Sequence, residues 1–248
     1  MRLELDIGNT FVKWRLLDLS GEVKDRGRVE TEGEVTAFFS NSYFFSQVNE
    51  LLVSNVSSPD LERAVCELFE ARPSPVSLFK AKAERSLCGV EFVYGDVGRL
   101  GVDRCLAMVA AYNRYQDGVL VVDCGSAMTA DLILAAGSHI GGYIFPGFRL
   151  LKQSLLSGTS NIVVSVDVEP CFGLGESTEE CVENGVQMMV RSTLLGLIEL
   201  AASYDVFDVL LTGGDGMKAK ALLGGRVEYD KDLVFKGLGM VSSYSLGE

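Results

Sequence analysis

Leu3-Glu4-Leu5-Asp6-Ile7-Gly8-Asn9-Thr10-Phe11-Val12-Lys13 decides the fold. Residues 3–7 alternate apolar and polar, the mark of a half-buried strand, and Gly8-Asn9-Thr10 is a turn. A second strand is expected from Phe11 to Asp18, a turn at Ser20-Gly21, and a third strand from Glu22 to Val29. The same order returns at Val119-Leu120-Val121-Val122-Asp123-Cys124-Gly125-Ser126-Ala127. There an apolar run ends in a carboxylate, a turn follows, and strands are expected at 127–134 and 139–145. Both stretches place Asp-x-Gly before a small polar residue, which reads as a duplicated half. The sequence therefore predicts an α/β protein of two tandem domains, 1–117 and 118–248, meeting near Asp117-Gly118.

Between the two stretches, Leu51-Leu52-Val53-Ser54 is strand-like. Pro59 to Ala71 is expected to be a helix with Leu61, Val65, Leu68 and Phe69 on one face, ended by Arg72-Pro73-Ser74-Pro75. Asp103 to Tyr115 is expected to be another. The longest helix is expected over Thr178–Tyr204, with Val182, Val186, Met189, Val190, Leu194, Leu197 and Ala201 as its apolar stripe. Ser177-Thr178-Glu179-Glu180 is its capping box. A strand at Asp208–Leu211, the turn Thr212-Gly213-Gly214-Asp215-Gly216, a short helix, a strand near Val227 and a last helix follow.

With 248 residues, 48% of them hydrophobic, the chain can bury a sizeable core. Its formal net charge of −12 opposes binding to nucleic acid or an anionic membrane, which needs surface Lys and Arg. The expectation is no nucleic-acid and no membrane partner. Met1-Arg2-Leu3-Glu4-Leu5-Asp6 puts charges where a secretory leader is apolar, and no apolar run reads as a bilayer span. A cytoplasmic location is expected. The cysteines at 66, 88, 105, 124, 171 and 181 lack C-x-x-C spacing and are expected to be free thiols. One histidine, His139, reads as a turn residue, which argues against a Ser-His-Asp hydrolase or a His-based zinc site.

No G-x-x-x-x-G-K-[ST] is present, and Phe172-Gly173-Leu174-Gly175 lacks the third glycine of a dinucleotide site. The turn at 6–10 offers another way to hold phosphate. Gly8 permits close approach of a ligand, Asn9 and Thr10 add donors, Lys13 can reach a terminal phosphate, and Asp6 can hold Mg²⁺. Taken alone, the same residues also make a plain hairpin turn.

The set Asp6-Ile7-Gly8-Asn9-Thr10, Gly101-Val102-Asp103-Arg104, Asp123-Cys124-Gly125-Ser126-Ala127-Met128-Thr129-Ala130-Asp131, Gly141-Gly142-Tyr143-Ile144-Phe145-Pro146-Gly147 and Thr212-Gly213-Gly214-Asp215 resembles, in that order, the type III pantothenate kinases. The resemblance runs from residue 1 to about 240. It implies two actin-like (ribonuclease H-like) domains with a nucleotide cleft between them, and ATP-dependent phosphorylation of pantothenate at the start of coenzyme A biosynthesis. It implies ATP binding by Asp6, Ile7, Gly8, Asn9, Thr10, Phe11, Val12, Lys13 and Ser126, the last standing where most members have threonine. It implies that Asp103 is the base, and that Tyr94, Gly101, Val102, Asp103 and Arg104 bind pantothenate. Thr178 would be contributed from the partner subunit of a homodimer. Mg²⁺ with ATP and a monovalent cation, K⁺ or NH₄⁺, on Asp123 are the implied cofactors. Asp103 also suits a helix cap, Thr178 a helix start, Tyr94 simple packing, and Asp131 the end of a strand. Arg99 is an ordinary surface arginine or a source of local positive potential.

Two other readings stay open on the sequence. Another superfamily enzyme, such as a sugar or acetate kinase or a polyphosphate phosphatase, would share the phosphate turns but not Gly101–Arg104 or Thr178. A non-catalytic regulator would have no need of Asp6, Asp103 and Asp123, and the net charge disfavours DNA contact.

Overall fold

The computed structural model describes residues 1–158, 173–224 and 227–247. Cys171 and Phe172 lie outside them; the other five cysteines are free thiols. Strands β1 (Arg2–Ile7), β2 (Phe11–Leu17) and β3 (Val23–Glu30) form an antiparallel meander. There follow α1 (Val35–Ser40), β4 (Glu50–Asn55), α2 (Pro59–Glu70), β5 (Ser77–Lys80), the short hairpin β6 (Ser86–Leu87) and β7 (Val90–Phe92), and α3 (Val102–Tyr115). A second meander is β8 (Gly118–Cys124), β9 (Ala127–Leu134) and β10 (Ser138–Pro146). Helices α4 (Phe148–Gly158) and α5 (Thr178–Ala202), β11 (Val209–Thr212), α6 (Gly216–Leu222), β12 (Glu228–Tyr229) and α7 (Leu233–Leu246) complete the chain.

The chain divides into two compact units. Unit 1 is Met1–Asn113 with Asp232–Glu248, and unit 2 is Arg114–Lys231. In unit 1 the strands lie in the order β3-β2-β1-β4-β5, with β4 and β5 parallel to β1. In unit 2 the order β12-β11-β8-β9-β10 is the same pattern, with β8 in the place of β1. Each is a meander extended by two parallel strands, so the repeat seen in the sequence is a repeat of topology.

Alternation along β1 sorts its side chains. Leu3, Leu5 and Ile7 are fully buried among Val12, Trp14, Leu16, Phe39, Val53 and Phe69. Each such leucine contributes roughly 2 kcal/mol of transfer free energy. Glu4 and Asp6 take the other face, where the matching β2 positions are Arg15 and Lys13. Helix α2 starts as the sequence requires: Ser58 accepts from Leu61 N–H at 3.2 Å, and Pro59 sits in the first turn.

Several expectations change. Residues 232–248, expected in the second domain, belong with unit 1. Helix α7 packs on β1 and β4, and its Leu233, Leu238 and Val241 are buried. Asp232, its N-cap, accepts two hydrogen bonds from Arg26 at 2.8 and 2.9 Å. A Cβ on Gly237 would collide with the Leu106 carbonyl, so α7 lies hard against α3. His139 is not a turn residue. It is buried in β10 with Nε2 3.1 Å from Asp131 Oδ1, and Asp131 lies inside β9 rather than at its end. Helix α5 has the length and apolar composition of a bilayer span, against the sequence expectation. Its Val186, Val190, Leu194, Leu197 and Ala201 pack in the unit 2 core and Val182 is buried, whereas Met189 is 56% exposed and off the stripe. Helices α1 and α4 and strands β5, β6 and β7 were not anticipated.

Candidate active site

In unit 1 the turn between β1 and β2 is closed by Gly8 N–H donating to the Phe11 carbonyl at 3.1 Å. Ile7 and Val12 are fully buried, so they can offer a ligand only main chain. Asn9 is exposed, Gly8, Thr10 and Lys13 are half-buried, and Phe11 lies under the Arg28 guanidinium, 4.4 Å from its ring centre. Thr31, just past β3, braces the turn twice. Its hydroxyl donates to the Gly8 carbonyl at 2.7 Å, and its N–H donates to the Thr10 carbonyl at 3.0 Å.

Asp6 ends β1 with its carboxylate buried. Ser54 Oγ donates to its Oδ1 at 3.3 Å from β4, and Lys13 Nζ stands 4.0 Å from Oδ2. Burial pushes the Asp6 pKa up to about 6, and Lys13 opposes the rise; the charge of Asp103 adds to it. Asp6 and Asp103 therefore share one electrostatic environment. Asp103 sits in the first turn of α3, where the positive end of the helix dipole favours a carboxylate. Its Oδ1 accepts from Arg104 N–H at 2.8 Å and covers Gly101, which has no side chain to obstruct it. Val102 and Arg104 are buried. Arg104 Nη1 donates to Tyr94 Oη at 2.9 Å, and Arg85 donates to the Tyr94 carbonyl at 2.8 Å. Gly101, Val102, Asp103, Arg104 and Tyr94 are thus gathered in one place, while Arg99 is exposed.

Unit 2 has its own glycine-lined corner. Gly125 N–H donates to the Ala127 carbonyl at 3.1 Å, and Gly147 N–H to the Ser126 carbonyl at 3.1 Å. Asp215 N–H donates to the Cys124 carbonyl at 2.9 Å. Gly213 takes φ +86°, and a Cβ there would run into the Asp123 carboxylate and the Cys124 carbonyl. The turn at 123–127, Pro146-Gly147 and the loop at 212–216 thus converge. Burial, with Asp123 and Asp215 nearby, pushes the Cys124 thiol up to about 12, which leaves it unreactive. Thr178 is exposed at the first position of α5, where Ser177 accepts from Glu180 N–H at 3.2 Å.

The sequence profile of type III pantothenate kinases matches residues 2–200. A type III pantothenate kinase of Azotobacter vinelandii is 36% identical over 251 residues, covering 97% of this chain and 98% of that one. The chain belongs to the type III pantothenate kinase family. Among solved structures, a Campylobacter jejuni protein assigned to a Baf family of transcriptional activators superposes with a TM-score of 0.62 at 20% identity. It covers 99% of this chain and 100% of its own. A protein of Sinorhizobium meliloti assigned as a 2-dehydro-3-deoxygalactonokinase gives 0.59 at 15% identity, covering 99% of each chain. These likenesses show a shared fold, a two-domain α/β fold of the actin-like type.

A member of this family is an ATP-dependent pantothenate kinase that works with a divalent metal. Among the described residues no three carboxylate, His or Cys side chains converge as a metal cage. Mg²⁺ does not need one, because it is commonly held by one or two carboxylates and the nucleotide phosphates. Asp6 fits that role, since a cation beside it would relieve both its burial and the nearby Asp103 charge. Asp123 lies in a cradle, between Gly213 and Gly125, that side chains would fill.

Sequence reasoning missed Thr31 and Ser54. Both follow from register. The Phe11↔Glu30 pair puts residue 31 beside residue 10, and Asp6 pairs with Ser54 across β1 and β4.

Proposed function

We propose that Asp6, Gly8, Asn9, Thr10 and Lys13 serve the ATP phosphates, with Ile7, Phe11 and Val12 contributing through the main chain where their side chains are buried. Ser126 is a further ATP contact. Asp103 is the base of the transfer. It orients the primary hydroxyl of pantothenate and takes its proton as the oxygen bonds to the γ-phosphorus and the bond to the β–γ bridging oxygen breaks. Such a reaction asks the protein mainly for positioning and charge stabilisation. Arg104, held by Tyr94, offers a fork of donors to the pantothenate carboxylate, and Gly101 and Val102 complete that end. Mg²⁺ supplies charge neutralisation for the phosphates when bound, and Asp6 holds it. Asp123 holds a monovalent cation. The active form is a homodimer in which Thr178 faces the partner's substrate, and the protein works in the cytoplasm.

The observation that carries this reading is a buried Asp6 carboxyl that feels the charge of Asp103 and stands 4.0 Å from Lys13 Nζ, in a chain that matches a family member over 97% of its length. It has a direct test. Pantothenate-dependent ADP formation is measured with and without K⁺, on the wild type and Asp103→Asn. The wild type should turn over with pantothenate, faster with K⁺, and Asp103→Asn should lose about 10²–10⁴-fold in kcat. Equal rates in the two proteins would remove Asp103 from the chemistry. Transfer to a sugar but not to pantothenate would favour another kinase of the superfamily.

A further inference from the structure

The strand register of unit 1 sorts its charged side chains into rows. On β2, Phe11, Lys13 and Arg15 share one face, and their partners on β3 are Glu30, Arg28 and Arg26. Asp6 and Glu4 of β1 stand on that face opposite Lys13 and Arg15. Two rows therefore cross the sheet. One holds Glu4, Arg15 and Arg26; the other, a step nearer the turn between β1 and β2, holds Asp6, Lys13 and Arg28.

In the row farther from the turn each cation has a carboxylate. Arg15 is bonded to Glu4 and stands 3.9 Å from Asp232, and Arg26 donates to both oxygens of Asp232. The nearer row has two cations and one carboxylate. Its acid, Asp6, is buried and lies 4.0 Å from Lys13 Nζ. The Arg28 side chain makes no ion pair and no hydrogen bond among the described residues, although acidic side chains outnumber Lys and Arg 34 to 22 in this chain. Glu30, two places along β3 on the same face, is exposed and does not pair with it.

What Arg28 does touch is the turn's own closing residue. Its guanidinium carbon lies 4.4 Å from the centre of the Phe11 ring, and the Phe11 carbonyl accepts the Gly8 N–H that closes the turn. A guanidinium laid on an aromatic face is held by that face and keeps its N–H edge free for an anion. Arg28 is exposed, so that edge is open to a ligand.

We propose that Arg28 is a further phosphate-binding residue of the kinase reaction. Its fork of donors takes non-bridging oxygens of the ATP triphosphate beside Lys13, and the Phe11 ring is its platform. The proposal rests on the reading that Lys13 and the turn at 8–10 serve the ATP phosphates. A polyanion seated there supplies the negative charge that the row lacks. Arginine gives it two parallel bonds where Lys13 offers a point charge. The other anion of the reaction, the pantothenate carboxylate, has Arg104 of α3, held by Tyr94.

Inorganic tripolyphosphate with Mg²⁺ has the phosphates of the nucleotide and no base. It is titrated by calorimetry into the full-length wild type, Arg28→Gln, Arg28→Lys and Lys13→Ala, and KM for ATP and for pantothenate is measured on the same proteins. Arg28→Gln should weaken tripolyphosphate binding and raise KM for ATP by about tenfold, the effect of losing a charge-assisted hydrogen-bonded pair. Its KM for pantothenate and its thermal midpoint without nucleotide should not change. Arg28→Lys keeps the charge without the fork and should fall between the two; it carries the comparison if Arg28→Gln does not fold. A surface arginine that merely rests on Phe11 would move none of these. The proposal is overturned if Arg28→Gln binds tripolyphosphate as the wild type does while Lys13→Ala binds it poorly, or if only KM for pantothenate rises. If the wild type binds no tripolyphosphate, or if Lys13→Ala and Arg28→Gln both bind it as the wild type does, the phosphate turn itself is misassigned and Arg28 falls with it.

Discussion

Replacing Asp6 by Asn removes a carboxylate that burial and Asp103 hold near a pKa of about 6, against 3.8 for an ordinary aspartate. A raised carboxyl favours the folded state below its unfolded pKa and loses that advantage as pH rises through the folded value. In the ligand-free enzyme, ionised Asp6 is therefore a destabilising group above pH 6. Asp6→Asn should be more stable than the wild type at pH 7.5, by up to about 3 kcal/mol, and equal to it near pH 4. Urea unfolding at the two pH values measures this, and the variant should bind Mg-ATP poorly. Thr31 gives a different signature. Thr31→Val loses one hydrogen bond to the phosphate turn, worth about 1 kcal/mol, and should raise the KM for ATP several-fold with kcat little changed. Thr31→Ser should restore it. If Thr31→Val and the wild type share one KM, the brace is not needed. Thr31 does not stand out among the motifs, because it acts through residues 8 and 10, distant from it in sequence.

Elements were legible where a pattern repeated or a cap marked an end. The two meanders, α2, α3 and α5 were readable from alternation, helical spacing and the Ser177 cap. The short strands β5, β6 and β7 were not, since too few residues carry the period, and β6 and β7 turn on a Cys88-Gly89 pair in which both φ angles are positive. The burial of His139 was hidden because its partner Asp131 lies on a neighbouring strand. The contact of α7 with α3 was hidden too, although Gly237 marks it. Gly237→Ala should force the two helices apart and cost about 3 kcal/mol or more, an overpacking effect. Hydrogen exchange should show it as faster opening of α7 than in the wild type, and unchanged exchange there would argue against the close approach.

At the scale of the whole molecule, the family and its reaction were readable because five motifs occur in order, and the comparisons with relatives agree. What the sequence could not convey is which ends of the chain fold together. Subunit exchange tests the proposed homodimer. Asp103→Asn and Thr178→Arg should each be nearly inactive alone. Mixed after reversible dissociation, half the dimers hold one of each and each of these has one intact site, so activity should recover to about a quarter of the wild-type level. No recovery would place Thr178 and Asp103 in service of the same subunit. The helix that seats on β1 and β4 is made after all of unit 2. Synthesis therefore completes unit 2 while the sheet of unit 1 still waits for its cover. A chain cut short before residue 232 would keep β1 and β4 unsheltered on that side, an address for proteases and chaperones rather than a smaller enzyme.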